Sequence, residues 1–191
     1  MDIAYKKYRW FFTRSGKLVI GGKSAEQNDS LIREIKKFGD LIVMHTSTPG
    51  SPFSAILSPI DKLSKEDLDE AAVFTGCFSR LWKSGKKTAK VDIFKLSEMT
   101  KSKSMASGTW GVKNKLSSKS VPLELVLTLQ EDVLRAVPPQ TVPASKAILK
   151  ICPGKIPKNQ APTKLSLELK KEVSQEEILS ALPTGGIKIC R

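Results

Sequence analysis

A short aromatic-rich run, Tyr8–Phe12, and the apolar run Leu18–Ile20 flank the turn-forming residues Arg14-Ser15-Gly16-Lys17, a pattern that predicts a β-hairpin. Ser24, followed three residues later by Gln27, reads as a capping box. Leu31, Ile32 and Ile35 form the apolar face of the helix it opens. Asp40–His45 and Ser54–Leu57 read as strands on either side of a Pro/Gly/Ser-rich loop, Thr46–Phe53. Ser64 and Asp67 mark a second helix start. After it, Leu68, Ala71, Ala72, Phe74, Thr75, Phe78, Leu81 and Trp82 recur at helical spacing as far as Gly85, which predicts one long core helix. Val91–Phe94 reads as a strand, Ser107–Val112 as a further pairing segment, and Leu123–Leu129 as a strongly β-favouring run.

Beyond Leu129 the composition shifts, with Pro138, Pro139 and Pro143 punctuating the chain. A strand at Ala147–Cys152, helices over Lys164–Lys171 and from Ser174 to Pro183, and a strand at Gly186–Cys190 give the order β-α-α-β. The near-repeat of Ile148–Cys152 and Ile187–Cys190 predicts that these end strands pair and bring Cys152 and Cys190 close together. The expected class is α+β: a mainly antiparallel sheet with helices on one face, plus a small β-α-α-β C-terminal module. The expected division is a domain at 1–135, a Pro-rich linker at 136–146 and the small module at 147–191.

At 191 residues the chain is long enough to bury a core, and its apolar runs fall far short of the roughly 18 residues of a membrane span. No secretory apolar segment follows the N-terminal charges, so a cytoplasmic address without a membrane partner is expected. Cys77, Cys152 and Cys190 lack CxxC spacing and the chain has one His, which argues against zinc. No cofactor is called for. Neither GxSxG nor HExxH occurs, so catalysis is not expected. Gly21-Gly22-Lys23-Ser24 has the end of a phosphate loop without its upstream glycine in place. The helix start at Ser24, beside Lys23, still suits a phosphate.

Charge changes the picture most. The chain carries 32 Lys+Arg against 19 Asp+Glu, a net +13, and residues 83–119 alone hold ten lysines and two acids, a net +8. Lys83, Lys86, Lys87, Lys101, Lys103, Lys113 and Lys115, interleaved with Ser, Gly and Thr, make a field suited to a polyanion such as RNA. Solubility, or protection of a sheet edge, is the competing explanation. Trp110, between Gly108 and Gly111, is a candidate for base stacking, while Trp10, Phe11, Phe12 and Trp82 fit the core better.

The stretch from Tyr8 through the Leu18-Val19-Ile20-Gly21-Gly22 run to Gln27-Asn28 closely resembles the opening motif of the NFACT-R domain, also called domain of unknown function 814. Gly39-Asp40, the strand ending in His45, Gly50-Ser51 and Cys77-Phe78-Ser79-Arg80-Leu81-Trp82 match further motifs in order, so the resemblance covers roughly residues 5–130. It implies an RNA-binding module of the kind that ends the large proteins of ribosome-associated quality control, with rRNA or tRNA as the RNA and the large ribosomal subunit as a possible neighbour. Ser47 and Pro49 depart from the family pattern, which commonly has an Asp and a second His there. Lys23, Gln27, Asn28 and Arg80 are expected on one accessible surface as a phosphate-binding corner, with His45 at its edge. Two alternatives stay open: an RNA-modification enzyme or accessory factor with His45 in a pocket, and a DNA-binding or protein-interaction adaptor. A pocket in which His45 and another polar group converge would favour the enzyme, and a broad open basic face the binding module.

Overall fold

A computed structural model describes residues 1–169 and 173–190. Strands β1 (Arg9–Phe12) and β2 (Leu18–Gly21) form the expected hairpin, with Arg9 opposite Gly21 and Phe12 opposite Leu18. Helix α1 (Ala25–Ile35) starts at Ser24, whose hydroxyl accepts from the Gln27 N–H at 3.2 Å. Strands β3 (Ile42–Thr46) and β4 (Ser54–Ile56) follow, then helix α2 (Lys65–Cys77), opened by a full capping box between Ser64 and Asp67.

The single long helix expected up to Gly85 is two. Ser79 is buried at the break: its hydroxyl donates to the Gly76 carbonyl at 2.6 Å, closing α2, and accepts from the Leu81 N–H at 3.2 Å, opening the short helix α3 (Arg80–Lys83). Helical spacing of apolar residues runs across the break and does not reveal a hydroxyl competing for the backbone. Next come β5 (Thr88–Lys95), the two-residue strands β6 (Met99–Thr100) and β7 (Gly111–Val112), and β8 (Ser117–Pro122). Of the segment expected to pair at 107–112, only β7 does so, with β6.

Six strands form one antiparallel sheet in the order β1-β2-β4-β3-β5-β8. Alternate positions on its strands are apolar towards both sides. Phe11, Val19, Met44, Ile56 and Ile93 pack in one cluster with α2, whereas Trp10, Ile20, Val43, Ala55 and Phe94 pack in another with Leu31, Ile32 and Ile35 of α1. The α+β class and antiparallel pairing hold as expected. Helix α2 covers one face and α1 the other, because neither face of the sheet is polar.

A second antiparallel sheet, in the order β10-β9-β11-β12, joins β9 (Leu125–Gln130) and β10 (Val133–Val137) to β11 (Leu149–Ile156) and, after helices α4 (Ala161–Ser166) and α5 (Gln175–Ala181), to β12 (Ile187–Cys190). The packing does not divide at the Pro-rich stretch 136–146. Strand β9 pairs with strands on both sides of it, and Val137 shares one apolar cluster with Phe74, Ile151, Ala161 and Ile187. Within the stretch, the Thr141 hydroxyl is buried and donates to Glu70 on α2 at 2.9 Å.

The β-α-α-β order and the pairing of its end strands are as expected. Lys150 faces Cys190, Cys152 faces Lys188, and the two cysteines form a disulfide with their Cα atoms 6.3 Å apart. The first tail helix starts at Ala161 rather than Lys164, and the end of the expected Lys164–Lys171 helix lies outside the described residues. Among the described residues, no helix is long and apolar enough to cross a membrane.

Candidate nucleic-acid interface

The ends of β2 and β3, the 47–53 loop, the α2–α3 junction and the 107–112 segment enclose a cleft of about 690 Å³. Lys23, Asn28, His45, Arg80, Lys83, Trp110 and Lys115 of the expected site residues line it, together with Arg9, which the sequence did not single out. The site is therefore concave, neither flat nor spread along the lysine-rich run.

Two close approaches build its walls. The buried Asn28 accepts from the Phe53 N–H at 3.1 Å through its side-chain oxygen, tying the loop to α1. A Cβ on Gly22 would sit 2.2 Å from that oxygen, so the position admits no side chain. Across the cleft, the Arg80 N–H donates to the Gly50 carbonyl at 2.8 Å, and a Cβ on Gly50, whose φ is +105°, would lie 2.5 Å from Arg80 Cδ. The stem of Arg80 is thus packed against the loop while the residue as a whole stays exposed.

Its guanidinium has no carboxylate at salt-bridge distance among the described residues. The acids Asp67 and Glu70 of the preceding helix α2 are engaged elsewhere. Asp67 accepts from Thr13 and Ser15 at 2.6 Å each, and Glu70 accepts from the Arg14 N–H and from Thr141 at 2.9 Å. An exposed fork of donors on a held stem is what bidentate recognition of a phosphate requires.

Arg9 sits on β1 with its guanidinium 4.6 Å above the Phe78 ring, and burial lowers its pKa to about 10. Lys23 is likewise held below its ordinary value, first by burial and then by the charges of Arg9 and Arg135. His45 stacks on Phe53 with ring centroids 4.6 Å apart, and its Nδ1 lies 2.7 Å from the Thr46 carbonyl. Burial pushes its pKa down, against the Thr46 carbonyl and Asp92, which pull it up. A neutral ring donating from Nδ1 leaves Nε2 as an acceptor.

Several expected contacts take other roles. Trp110 is 9% exposed, and its Nε1 donates to Asp29 Oδ1 at 2.7 Å, so the indole is a wall of the cleft rather than a free stacking platform. Lys101 pairs with the same carboxylate at 3.2 Å and donates to the Ala106 and Thr109 carbonyls. Lys115 pairs with Asp92 at 2.6 Å. The Gln27 side chain accepts from the Lys23 N–H and donates to the Lys7 carbonyl, away from the cleft lining. Lys86, Lys87, Lys103 and Lys113 are exposed outside it. Trp110, Lys101 and Lys115 are held by the carboxylates of Asp29 and Asp92, distant in sequence, whereas Lys86, Lys87, Lys103 and Lys113 stay solvated.

Residues 7–114 match the family model of the NFACT protein RNA binding domain. The chain belongs to this family of RNA-binding domains. It is 30% identical over 203 residues to the archaeal Rqc2 homolog aRqcH of Methanocaldococcus jannaschii, a match that covers 98% of this chain and 29% of that protein. With the ribosome quality control complex subunit NEMF of Homo sapiens it shares 28% identity over 79 residues, 41% of this chain and 7% of that one. The chain spans less than a third of the length of these curated relatives. The C-terminal part of the fibronectin/fibrinogen-binding protein from Streptococcus suis has a similar fold, with a TM-score of 0.53 and 19% identity over 60% of this chain and 44% of that one.

Proposed function

We propose that the cleft holds a segment of structured RNA, ribosomal or transfer, and that the protein acts in ribosome-associated quality control or translation in the cytoplasm. The observation that carries this reading is the free Arg80 guanidinium, converging in one cleft with Lys83 of the same helix α3, Arg9 of β1 and Lys23 before the start of α1. The Arg80 fork takes a phosphate, and the neutral His45 Nε2 accepts from a ribose hydroxyl or a base amino group. The family and the archaeal and human relatives support the choice of process.

The reading is one of binding without catalysis, although the site is a pocket that includes His45. The Ser47 hydroxyl donates to Asp92 at 2.7 Å, and His45 Nδ1 is turned to the Thr46 carbonyl, so hydroxyl, imidazole and carboxylate form no relay. Crosslinking of the protein to cellular RNA, followed by sequencing, is expected to return rRNA or tRNA. Arg80→Lys, which keeps the charge and loses the fork, is expected to weaken binding of that RNA about tenfold in a folded protein. Unchanged affinity overturns the assignment of Arg80, and turnover of a bound nucleotide overturns the non-catalytic reading.

A further inference from the structure

The cleft is chemically two-sided. It straddles one end of the six-stranded sheet, where Arg9, Gly21, Ser54, Met44 and Ile93 face one another in a single row across β1, β2, β4, β3 and β5. On the α2 side of that end Arg9 lies over the Phe78 ring, with Arg80 and Lys83 of α3 beside it in the lining. Lys23, which follows β2, feels the charge of Arg9. None of these four cations has a carboxylate at salt-bridge distance among the described residues.

The α1 side differs. His45, half-buried, lies on Phe53, and Phe53, Phe94 and Trp110 of the α1-side apolar cluster reach the lining behind it. Asp92, the one acid among the described lining residues, stands opposite His45 in the β3–β5 register and is paired with Lys115 at 2.6 Å. This side therefore carries no unbalanced charge, and what it offers a ligand is acceptors. His45 Nε2 has no partner among the described residues, and the exposed Ser47, having given its hydroxyl proton to Asp92, keeps its lone pairs.

A ligand that suits both sides carries an anion at one end and a flat, largely apolar group with N–H donors at the other. A nucleotide has that form, from phosphate to base, and 690 Å³ lies within the roughly 300–1,000 Å³ of clefts that enclose a small ligand. Pairing decides which nucleotides can use it. In an A-form duplex the bases are stacked and paired, so a duplex can bring phosphate and ribose to Arg80 but no base to His45. A nucleotide in a loop, bulge or end can be splayed out to fill both sides.

We propose that the cleft takes an unpaired nucleotide of the RNA, its phosphate on Arg80 and its base against His45, so that the protein selects single-stranded segments over duplex. This rests on the RNA reading of the cleft and adds which part of the RNA enters it and in which orientation.

The intact chain is titrated, at one salt concentration, with a single-stranded RNA free of self-pairing, with a blunt RNA duplex of the same length, and with a ribose–phosphate chain of that length lacking the bases. Affinity and the imidazole resonances of His45, the one histidine of the chain, are followed together. The single strand is expected to bind about tenfold more tightly than either of the others, the size of one base contact, and to be the RNA that shifts the His45 resonances. His45→Phe keeps a ring on Phe53 and removes Nε2, and is expected to bring the single strand down towards the base-free chain. A duplex bound as tightly as the single strand overturns the selection. A base-free chain bound as tightly as the RNA, or His45 resonances that ignore an RNA whose binding is weakened by Arg80→Lys, overturns the placement of the base and leaves the RNA reading of the cleft standing. Those arms use the unmutated binding face of His45, so they decide even where His45→Phe fails to fold. Failure of the unmutated protein to bind any RNA removes both.

Discussion

The lysine-rich run and the cleft both collect positive charge, and they use it differently. Along 83–119 ten lysines follow one another closely, yet Lys101, Lys115 and Lys119 are paired with Asp29, Asp92 and Asp69, and Lys86, Lys87, Lys103 and Lys113 point into solvent apart from the cleft lining. The cleft draws Arg9, Lys23 and Arg80 from positions up to 71 residues apart, and none of the three has a salt-bridged carboxylate among the described residues. Solvated charges more than a Debye length of about 8–10 Å apart act almost independently, whereas charges converging in a partly desolvated pocket reinforce each other at one ligand atom. Positive charge counted along a chain therefore measures a general attraction to polyanions. A binding site depends on convergence and on where the acids are not.

The largest expected effect comes from the tail, which supports the cleft from behind. Trp82 Nε1 donates to the Gly186 carbonyl at 3.0 Å, linking the start of β12 to the helix that carries Arg80 and Lys83. The disulfide closes a loop of sequence separation 38, for which chain entropy gives about 2–4 kcal/mol. Denaturant titration with and without reductant, with Cys190→Ser as control, is expected to show a loss of that size. RNA affinity should weaken with it, although no lysine of the run has changed.

Asp29→Ala separates the two views most sharply, because it adds a positive charge to the net while releasing Lys101, Ser107 and Trp110. Charge counting predicts tighter RNA binding. Convergence predicts weaker binding, with a stability loss of about 2 kcal/mol and faster amide exchange over 101–112. Binding that tightens in a folded variant would reverse the comparison. A smaller effect is expected when Lys86, Lys87, Lys103 and Lys113 are changed to Gln together: less than about fivefold in affinity near physiological salt, against about tenfold for Arg80→Lys alone. A salt titration that loses about 0.7–0.9 in slope for each of the four would show that they all contact phosphate after all.

The smallest effect concerns what convergence does to stability. Lys158 has a pKa of about 8 in the folded protein, against about 10.4 for an unfolded lysine. The unfolded chain thus holds more protons in that window, and this group makes stability rise as pH increases from about 8 to about 10.4. The stability difference between the unmutated protein and Lys158→Met should rise over the same window. A flat difference would mean that Lys158 is solvated and does not feel Arg9.

Much of the fold was legible because it is set by neighbours in the chain. The hairpin, the Ser24 and Ser64 helix starts, the strands at 42–46 and 54–56, and the paired ends of the tail all follow from side-chain periodicity, turn chemistry and caps that act over a few residues. The family motifs likewise pointed to Lys23, Asn28, His45 and Arg80, which the fold brings into one cleft. The rest was decided between segments that the sequence keeps apart. Trp110 has the composition of an exposed loop tip around it and is buried because Asp29, 81 residues earlier, accepts its N–H. Phe78 has helical spacing and sits at a break because Ser79 satisfies Gly76. Arg9 reads as the polar flank of an aromatic strand and becomes a site residue only where β1 meets α3, Lys23 and the second sheet. Local propensities are fixed by the geometry of adjacent residues, so one sequence carries them. Whether a cation is paired or free depends on which carboxylates share its surroundings, and only the folded chain sets that.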